Sequence, residues 1–269
     1  MRTLNKQHFF DKPVIICHGG AGHGAKDQPG VDFATEIGKN ILIEGGTSVE
    51  AVSKAVELME NDPNLNAGTG GCIREDGSVQ LDAIIATSEK NIGAVIALEG
   101  CKNPINIAVR LLNSPINILA GRGASEFAIK EGFPIENVIG RKRKNGNDTV
   151  GALAIDKNGL IAAASSTGGC SGRPAGRVGD TPLWGPGIWC DEEVAVIATG
   201  IGEIITLEMI CFRVAQHIKV HGKTLLESLE WGLEQFDKET EVGLLAIKNN
   251  GDALGLSNTK MPWKMMIVS

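Results

Sequence analysis

Between Asn147 and Glu203 short apolar runs alternate with glycine-rich polar loops, a pattern that few folds accommodate. Residues 149–155 (TVGALAI) and 160–164 are extended-chain runs, short and rich in apolar and β-branched residues. Asp156, Lys157, Asn158 and Gly159 join them, and an Asn-Gly pair suits the positive φ angles of a tight hairpin turn. The hairpin places Thr149 at the start of one strand and Thr167 at the end of its partner, beside Gly168-Gly169. Beyond them stand Arg177 and Asp180 in GRVGD, and then Thr199-Gly200-Ile201-Gly202. Hydroxyls, one fixed cation, one carboxylate and bare backbone amides are the components of an acyl-transfer site.

The flanks supply helices. Residues 14–17 (VIIC) read as a buried strand running into HGGAG at 18–22, and 31–44 has helical periodicity through Phe33, Ile37, Ile41 and Leu42. Strand, glycine loop and helix invite a nucleotide-binding α/β reading. GGAGHG, however, departs from G-x-G-x-x-G, and no acidic residue ends a clear second strand. A helix is expected over 47–60, with Thr47 as its cap and Glu50 completing a capping box. Asp76-Gly77 marks a hairpin between 72–74 and 79–86, and 92–98 reads as a further strand. Helices follow over 105–112, opened by Pro104, and over 124–130. After a polar stretch at 132–148 and the central strands come helices over 204–219 and 224–235. A hairpin around Asn250-Gly251 joins 241–248 to 252–256.

With 269 residues the chain can bury a substantial core, as one large domain or two small ones. A net charge of −6 argues against nucleic acid as a partner. The one basic cluster, 141–144, lacks interleaved aromatics and reads as a solvated loop. Six cysteines lie mostly in apolar runs and never as CxxC, the pattern of buried reduced thiols. No hydrophobic leader and no bilayer-length apolar run is present, so the expectation is a cytoplasmic protein with no membrane partner.

NDTVGALAID, SSTGG, GRVGDTP and TGIGE stand in the order and near the spacing of the threonine-type (plant-type) L-asparaginase/isoaspartyl peptidase family. These are N-terminal nucleophile hydrolases, related to glycosylasparaginase and threonine aspartase. The resemblance extends to HGGAG, LNAGTGG at 65–71, LDAIIAT at 81–87, KNPINIAVRLL at 102–112 and LSNTKMPW near the end. It implies an α+β fold, the four-layer αββα sandwich in which two sheets stack face to face. It also implies a single domain over 1–269, cut by self-cleavage between Asp148 and Thr149 into an α subunit (1–148) and a β subunit (149–269). The expected assembly is a homodimer of processed αβ units.

By the same resemblance Thr149 is the nucleophile, Thr167 orients it, and Thr199 with Gly200 forms the oxyanion hole. Arg177 and Asp180 hold the substrate's α-carboxylate and α-ammonium, Gly202 assists at the ammonium, and Asn66 borders the site. A threonine hydroxyl needs a base; a free Thr149 α-amine, with a reference pKa of ~7.7–8.0, provides one without histidine. Each position also has a plain alternative: a β-branched strand residue, a loop hydroxyl, a glycine turn, or an Arg–Asp pair satisfying itself. Glu203 reads as a charge at a helix N-terminus, and His18 as structural.

No organic cofactor is expected. The backbone carbonyls of Met59, Glu60, Asp62, Leu65, Ala67 and Thr69 match a loop that wraps a structural sodium ion in the family, against the alternative of an ordinary Asn/Asp turn. The implied activity is hydrolysis of the L-asparagine side-chain amide or of β-aspartyl peptides. Glycosylasparaginase and a threonine-aspartase-like endopeptidase are the alternatives. The run LWGPGIWCDEE, with Trp184, Pro186 and Trp189, departs from the small flexible segment usual after GRVGD and resembles the aspartase branch, whereas Asp180 is of the asparaginase type.

Overall fold

Small residues on one side and branched ones on the other let strands 150–155 and 161–167 be buried on both faces. In the computed structural model, which describes residues 12–22, 24–143 and 149–268, they occupy the middle of the larger of two sheets. The elements in chain order begin with β1 (Val14–His18), α1 (Gln28–Ile43) and α2 (Ser48–Asn61). Then come β2 (Leu81–Thr87), β3 (Ile92–Leu98), α3 (Pro104–Leu111), β4 (Ile118–Ala120) and α4 (Gly121–Lys130). The central segment forms β5 (Val150–Ile155), β6 (Ile161–Thr167), β7 (Ile188–Cys190) and β8 (Val194–Gly200). The chain closes with α5 (Gly202–Glu208), α6 (Ile210–His221), α7 (Leu225–Leu233), β9 (Val242–Lys248), β10 (Ala253–Ser257) and β11 (Trp263–Ile267).

The seven-stranded sheet has the order β11-β1-β5-β6-β2-β3-β4, and the four-stranded sheet β10-β9-β8-β7. Pairing is antiparallel throughout, except between β3 and β4. Alternation along the strands sorts side chains into three cores. Val150, Ala152, Ala154, Ala162 and Ala164 pack with α1 to α4. Leu153, Ile155 and Ile161 meet Ile197, Leu245 and Ile247 of the smaller sheet. Val196, Ala198, Leu244 and Ala246 face α6 and α7. The fold is mixed α+β, with helices on two sheets. Among the described residues no helix is long and apolar enough to cross a membrane.

Local signals in the sequence account for the starts of two helices. Thr47 caps α2, and Thr224 caps α7, each in a complete capping box with the glutamate three residues on. The expected helix over 204–219 is instead two helices. Met209, at φ +50, ends α5 and starts α6 in the left-handed region, and its sulfur and methyl fill the space over Gly185. Residues 72–74 do not form the expected hairpin strand. The turn at Asp76-Gly77 closes through Arg74 N–H to Ser78 O (2.9 Å), but the β-pairing of Cys72 is an isolated bridge to Arg141. Strands β4, β7 and β11 were not foreseen.

Removing the Leu153 side chain opens a cavity between the sheets, so Leu153→Ala is expected to cost about 2–5 kcal/mol. Thr224→Ala removes only an exposed cap and should cost about 1 kcal/mol. Urea midpoints with a common slope measure both, and equal losses would contradict the placement of Leu153.

Candidate active site

Thr149 directly precedes β5, and the β5–β6 register sets it opposite Thr167 at the same end of the sheet. Both line a small, tight cleft of about 10 Å³. Gly169, Arg177, Asp180, Thr181, Gly200 and Gly202 line it as well. The structure therefore brings together six of the eight expected site residues, and Thr199 and Asn66 stand behind that lining. Thr149 Oγ1 lies 2.9 Å from Thr181 Oγ1, and both residues are almost fully buried. Thr167 Oγ1 accepts the Gly169 N–H at 3.1 Å, closing the turn after β6. Sequence reasoning gave the partnering role to Thr167 and passed over Thr181, although that hydroxyl follows Asp180 in the same motif. Asp148 lies outside the described residues.

Thr199 and Gly200 end β8, and Gly200 reaches the cleft, with Thr199 behind it, because the sheets pack face to face. Gly200 sits at φ +147, and a Cβ there would come 2.3 Å from Glu241 O, so no other residue fits. Thr199 Oγ1 accepts the Ala21 N–H at 3.2 Å, which leaves its own proton to be donated. The rest of the HGGAG loop is equally committed. Gly19 N–H goes to Pro262 O, Gly22 N–H to Lys260 O, and Gly20 N–H to His18 Nδ1. Amides used in this way are not available to cradle a phosphate, which removes the basis of the nucleotide-binding reading. His18 is fully buried opposite Gly151, and a side chain at 151 would meet its Nε2 at 2.6 Å. Burial lowers its pKa to about 3, so it is a neutral strut.

Arg177 is held by Glu203 through two hydrogen bonds, Nε to Oε1 at 3.0 Å and Nη2 to Oε2 at 2.8 Å. Glu203 does lie in the first turn of α5, as expected, but its partnership with Arg177 was not foreseen. Asp180 is 3% exposed, and its Oδ2 has no hydrogen-bond partner. Burial pushes its carboxyl up to about 7, against the opposing pull of Arg177. Asp82, fully buried on β2, is raised to about 6 by burial, although Ala97 N–H donates to its Oδ1 at 2.7 Å. A Cβ at Gly202 would lie 2.9 Å from Asp180 Oδ1 and 3.0 Å from Arg177 Nη2. Glycine at 202 keeps both groups accessible to one small ligand.

Asn66 braces the turn that follows β6. Its Nδ2 donates to Gly169 O at 2.8 Å, and its carbonyl accepts the Gly168 N–H at 3.0 Å. In the loop expected to wrap sodium, the Met59, Asp62 and Ala67 carbonyls accept N–H groups of Asp62, Leu65 and Gly70. Leu65 O accepts from the Arg143 guanidinium at 3.0 Å, which also reaches Asn64 O and Gly70 O. Arg143 is thus docked on this loop, a correction to the solvated reading of 141–144; Lys144 lies outside the described residues. All six cysteines are buried.

The comparisons with known proteins agree with this geometry. The sequence matches the asparaginase family over residues 11–142 and 136–268. It is 35% identical to the isoaspartyl peptidase/L-asparaginase of Bos taurus, over 93% of this chain and 92% of that protein. The Homo sapiens isoaspartyl peptidase/L-asparaginase is 34% identical, with 93% and 92% covered. The N(4)-(beta-N-acetylglucosaminyl)-L-asparaginase of Elizabethkingia miricola is 31% identical, over 79% of this chain and 71% of that protein. The chain belongs to the asparaginase family, and it is a hydrolase.

The buried carboxyl of Asp180 has a signature in stability. Unfolded it ionises near its ordinary 3.8, folded near 7, so between those values the folded state holds the extra proton. Its contribution to stability therefore falls as pH rises through that window and levels off above it. Asp180→Asn should unfold at a higher denaturant midpoint than wild type near pH ~8, with the gap closing toward pH ~4. A pH-independent gap would show that Asp180 is not buried in its acid form.

Proposed function

We propose that this hydrolase cleaves the side-chain amide of L-asparagine and β-aspartyl peptides, with Thr149 as an N-terminal nucleophile freed by self-cleavage after Asp148. The observation that carries this reading is the convergence of Thr149, Thr181, Arg177, Asp180 and Gly202 on one small cleft. The names of the mammalian relatives support it. In the intact chain Thr149 Oγ attacks the carbonyl carbon of residue 148, and the amide nitrogen leaves as the Thr149 amine. The resulting ester is hydrolysed, releasing residues 1–148 from 149–269. In the next cycle that amine takes the Oγ proton as Oγ attacks the substrate's side-chain carbonyl. The Thr199 hydroxyl and the Gly200 N–H are the donors for the developing oxyanion. Ammonia or an amine departs, and water releases aspartate from the ester on Thr149.

The substrate's α-carboxylate replaces Glu203 on Arg177, a bidentate match for a guanidinium. Its α-ammonium pairs with Asp180 and favours the ionised form that burial alone resists. Neither Trp184 nor Trp189 lines the cleft, which disfavours the protein-cutting branch that their segment resembles. The three cores support the four-layer αββα sandwich of N-terminal nucleophile hydrolases as one domain. A homodimer of processed units, a cytoplasmic setting and a sodium ion shared among the carbonyls of Met59, Glu60, Asp62, Leu65, Ala67 and Thr69 complete the reading.

Purified protein should convert with time to two fragments, 1–148 and 149–269, with Thr149→Ala remaining whole. Thr181→Val keeps the shape but removes the hydroxyl beside Thr149 Oγ1, and it should slow conversion roughly tenfold, the scale of one lost hydrogen bond to a reacting group. Intact mass against time measures all three, and a whole wild-type protein that still hydrolyses asparagine would sink the amine-base mechanism.

For the mature protein, β-aspartyl-leucine and asparagine should both react and an internal α-aspartyl peptide should not. kcat/KM should rise with pH through about 7 as Asp180 ionises. N-acetyl-asparagine leaves Asp180 unpaired, at a cost of about 2–5 kcal/mol in kcat/KM. Equal rates on blocked and free asparagine would remove Asp180 from ammonium recognition.

A further inference from the structure

A second cavity, of about 490 Å³, opens at the end of the strands remote from Thr149. The register fixes its position. Thr149 and Thr167 mark one end of β5 and β6, whereas this cavity is lined by Ile92 at the start of β3 and by Cys190, whose Sγ contacts Ile161 O at the start of β6. Its wall is a pair of half-buried indoles, Trp184 and Trp189, with centroids 4.8 Å apart and planes inclined by 39°. Phe212 packs edge-on against Trp189 at 4.9 Å. The Trp189 Nε1–H donates to Asp191 Oδ2 at 3.0 Å, and Lys219 Nζ meets the same oxygen at 2.8 Å. That arrangement fixes the Trp189 ring and neutralises Asp191 with Lys219.

Two charges of opposite sign remain on the rim, Lys90 and Glu192, and among the described residues neither is held in an ion pair. Lys90 stands at φ +64, a backbone conformation uncommon for a residue with a side chain. The volume falls within the ~300–1,000 Å³ of small-molecule sites, and part-exposed aromatic rings under a polar rim are the usual lining of one. A phosphate ester is a poor match, because Lys90 shares the rim with the carboxylates of Asp191 and Glu192. A cation and an anion outside the Asp191–Lys219 pair, lining the same cavity as two indole rings, complement a zwitterion with an apolar body.

We propose that this cavity is a binding site, separate from the catalytic cleft, for a free α-amino acid with an aromatic or branched apolar side chain. Lys90 takes the carboxylate, Glu192 the ammonium, and the side chain lies against Trp184 and Trp189. The inference does not depend on the substrate assigned to the cleft.

Titration of the full chain with L-phenylalanine, read by tryptophan fluorescence and by calorimetry, tests it. Saturable binding is expected, at least roughly tenfold tighter than that of N-acetyl-L-phenylalanine amide, which keeps the ring and loses both charges. Lys90→Ala and Glu192→Gln change exposed rim groups without touching the core, and each should weaken binding roughly tenfold. Asp180→Ala should leave it unchanged. Absence of saturable binding, equal affinity for the uncharged analogue, or unaltered affinity in both rim variants overturns the proposal. Loss of binding in Asp180→Ala with retention in the rim variants would place phenylalanine in the cleft and overturn it equally.

Discussion

The packing of β5 and β6 against β8 and β9 is the contact on which the rest of the molecule depends. Leu153, Ile155 and Ile161 from the larger sheet interlock with Ile197, Leu245 and Ile247 from the smaller one. That apolar contact sets the ends of two sheets at one height. Thr149 and Thr167 come from one sheet and Gly200 from the other, yet all three line the same cleft. No local sequence preference could hold groups from separate sheets together; the core does so, because side chains alternate in direction and each strand serves two layers. A rigid, fully buried support also suits a site whose groups must stay aligned without a bound ligand.

Burial, rather than pairing, dominates the electrostatics. Asp180 and Asp82 both feel the Arg177 charge, yet desolvation outweighs that attraction and raises both carboxyls. His18 shows the mirror-image case, since burial removes its proton and leaves a neutral ring. Arg177 escapes the same cost through Glu203, which reaches it from α5 and satisfies two guanidinium donors. The cleft is therefore poised with its cation paired and its anion partly neutral. A ligand carrying an ammonium beside a carboxylate answers both conditions at once: it supplies Asp180 with a counter-charge and Arg177 with an alternative carboxylate. A ligand with only one of those charges answers one condition and leaves the other unmet.

What could be read from the sequence, and what could not, divides along the distance between partners. The hairpin at Asn158-Gly159 and the capping box at Thr47 depend on residues within a few positions, and both were legible. The motif residues that line the cleft were legible too, because four ordered motifs resemble one family. Thr181 was missed because a hydroxyl at 181 meets one at 149 only after β5 and the loop beyond β6 have docked. Glu203 was read as a helix-end charge, and it is one; its reach to Arg177 across 26 residues has no local signal. Met209 broke a helix whose apolar periodicity runs on without interruption, since the pocket over Gly185 that its side chain fills comes from a distant loop. β11 pairs with β1 from the far end of the chain, a partnership across the whole sequence for which its short apolar run at 265–268 carries no local signal.

The HGGAG loop shows how one local pattern can serve opposite purposes. A strand, a glycine loop and a following helix are what a phosphate-binding turn requires, and glycine frees the backbone amides to point at a ligand. Here those amides point inward. One orients Thr199, one holds His18, and two tie down the segment at 260–262 that leads into β11. His18 in turn fills the space left by Gly151, two residues from Thr149 on the neighbouring strand. The glycines permit close approach in both kinds of loop; what differs is whether protein or ligand meets the amides. That difference is invisible in the motif and is set by Thr199, which lies 178 residues from the amide it receives. The loop is thus a brace between β1 and β8, and through Thr199 it holds the hydroxyl beside the cleft in a donating orientation.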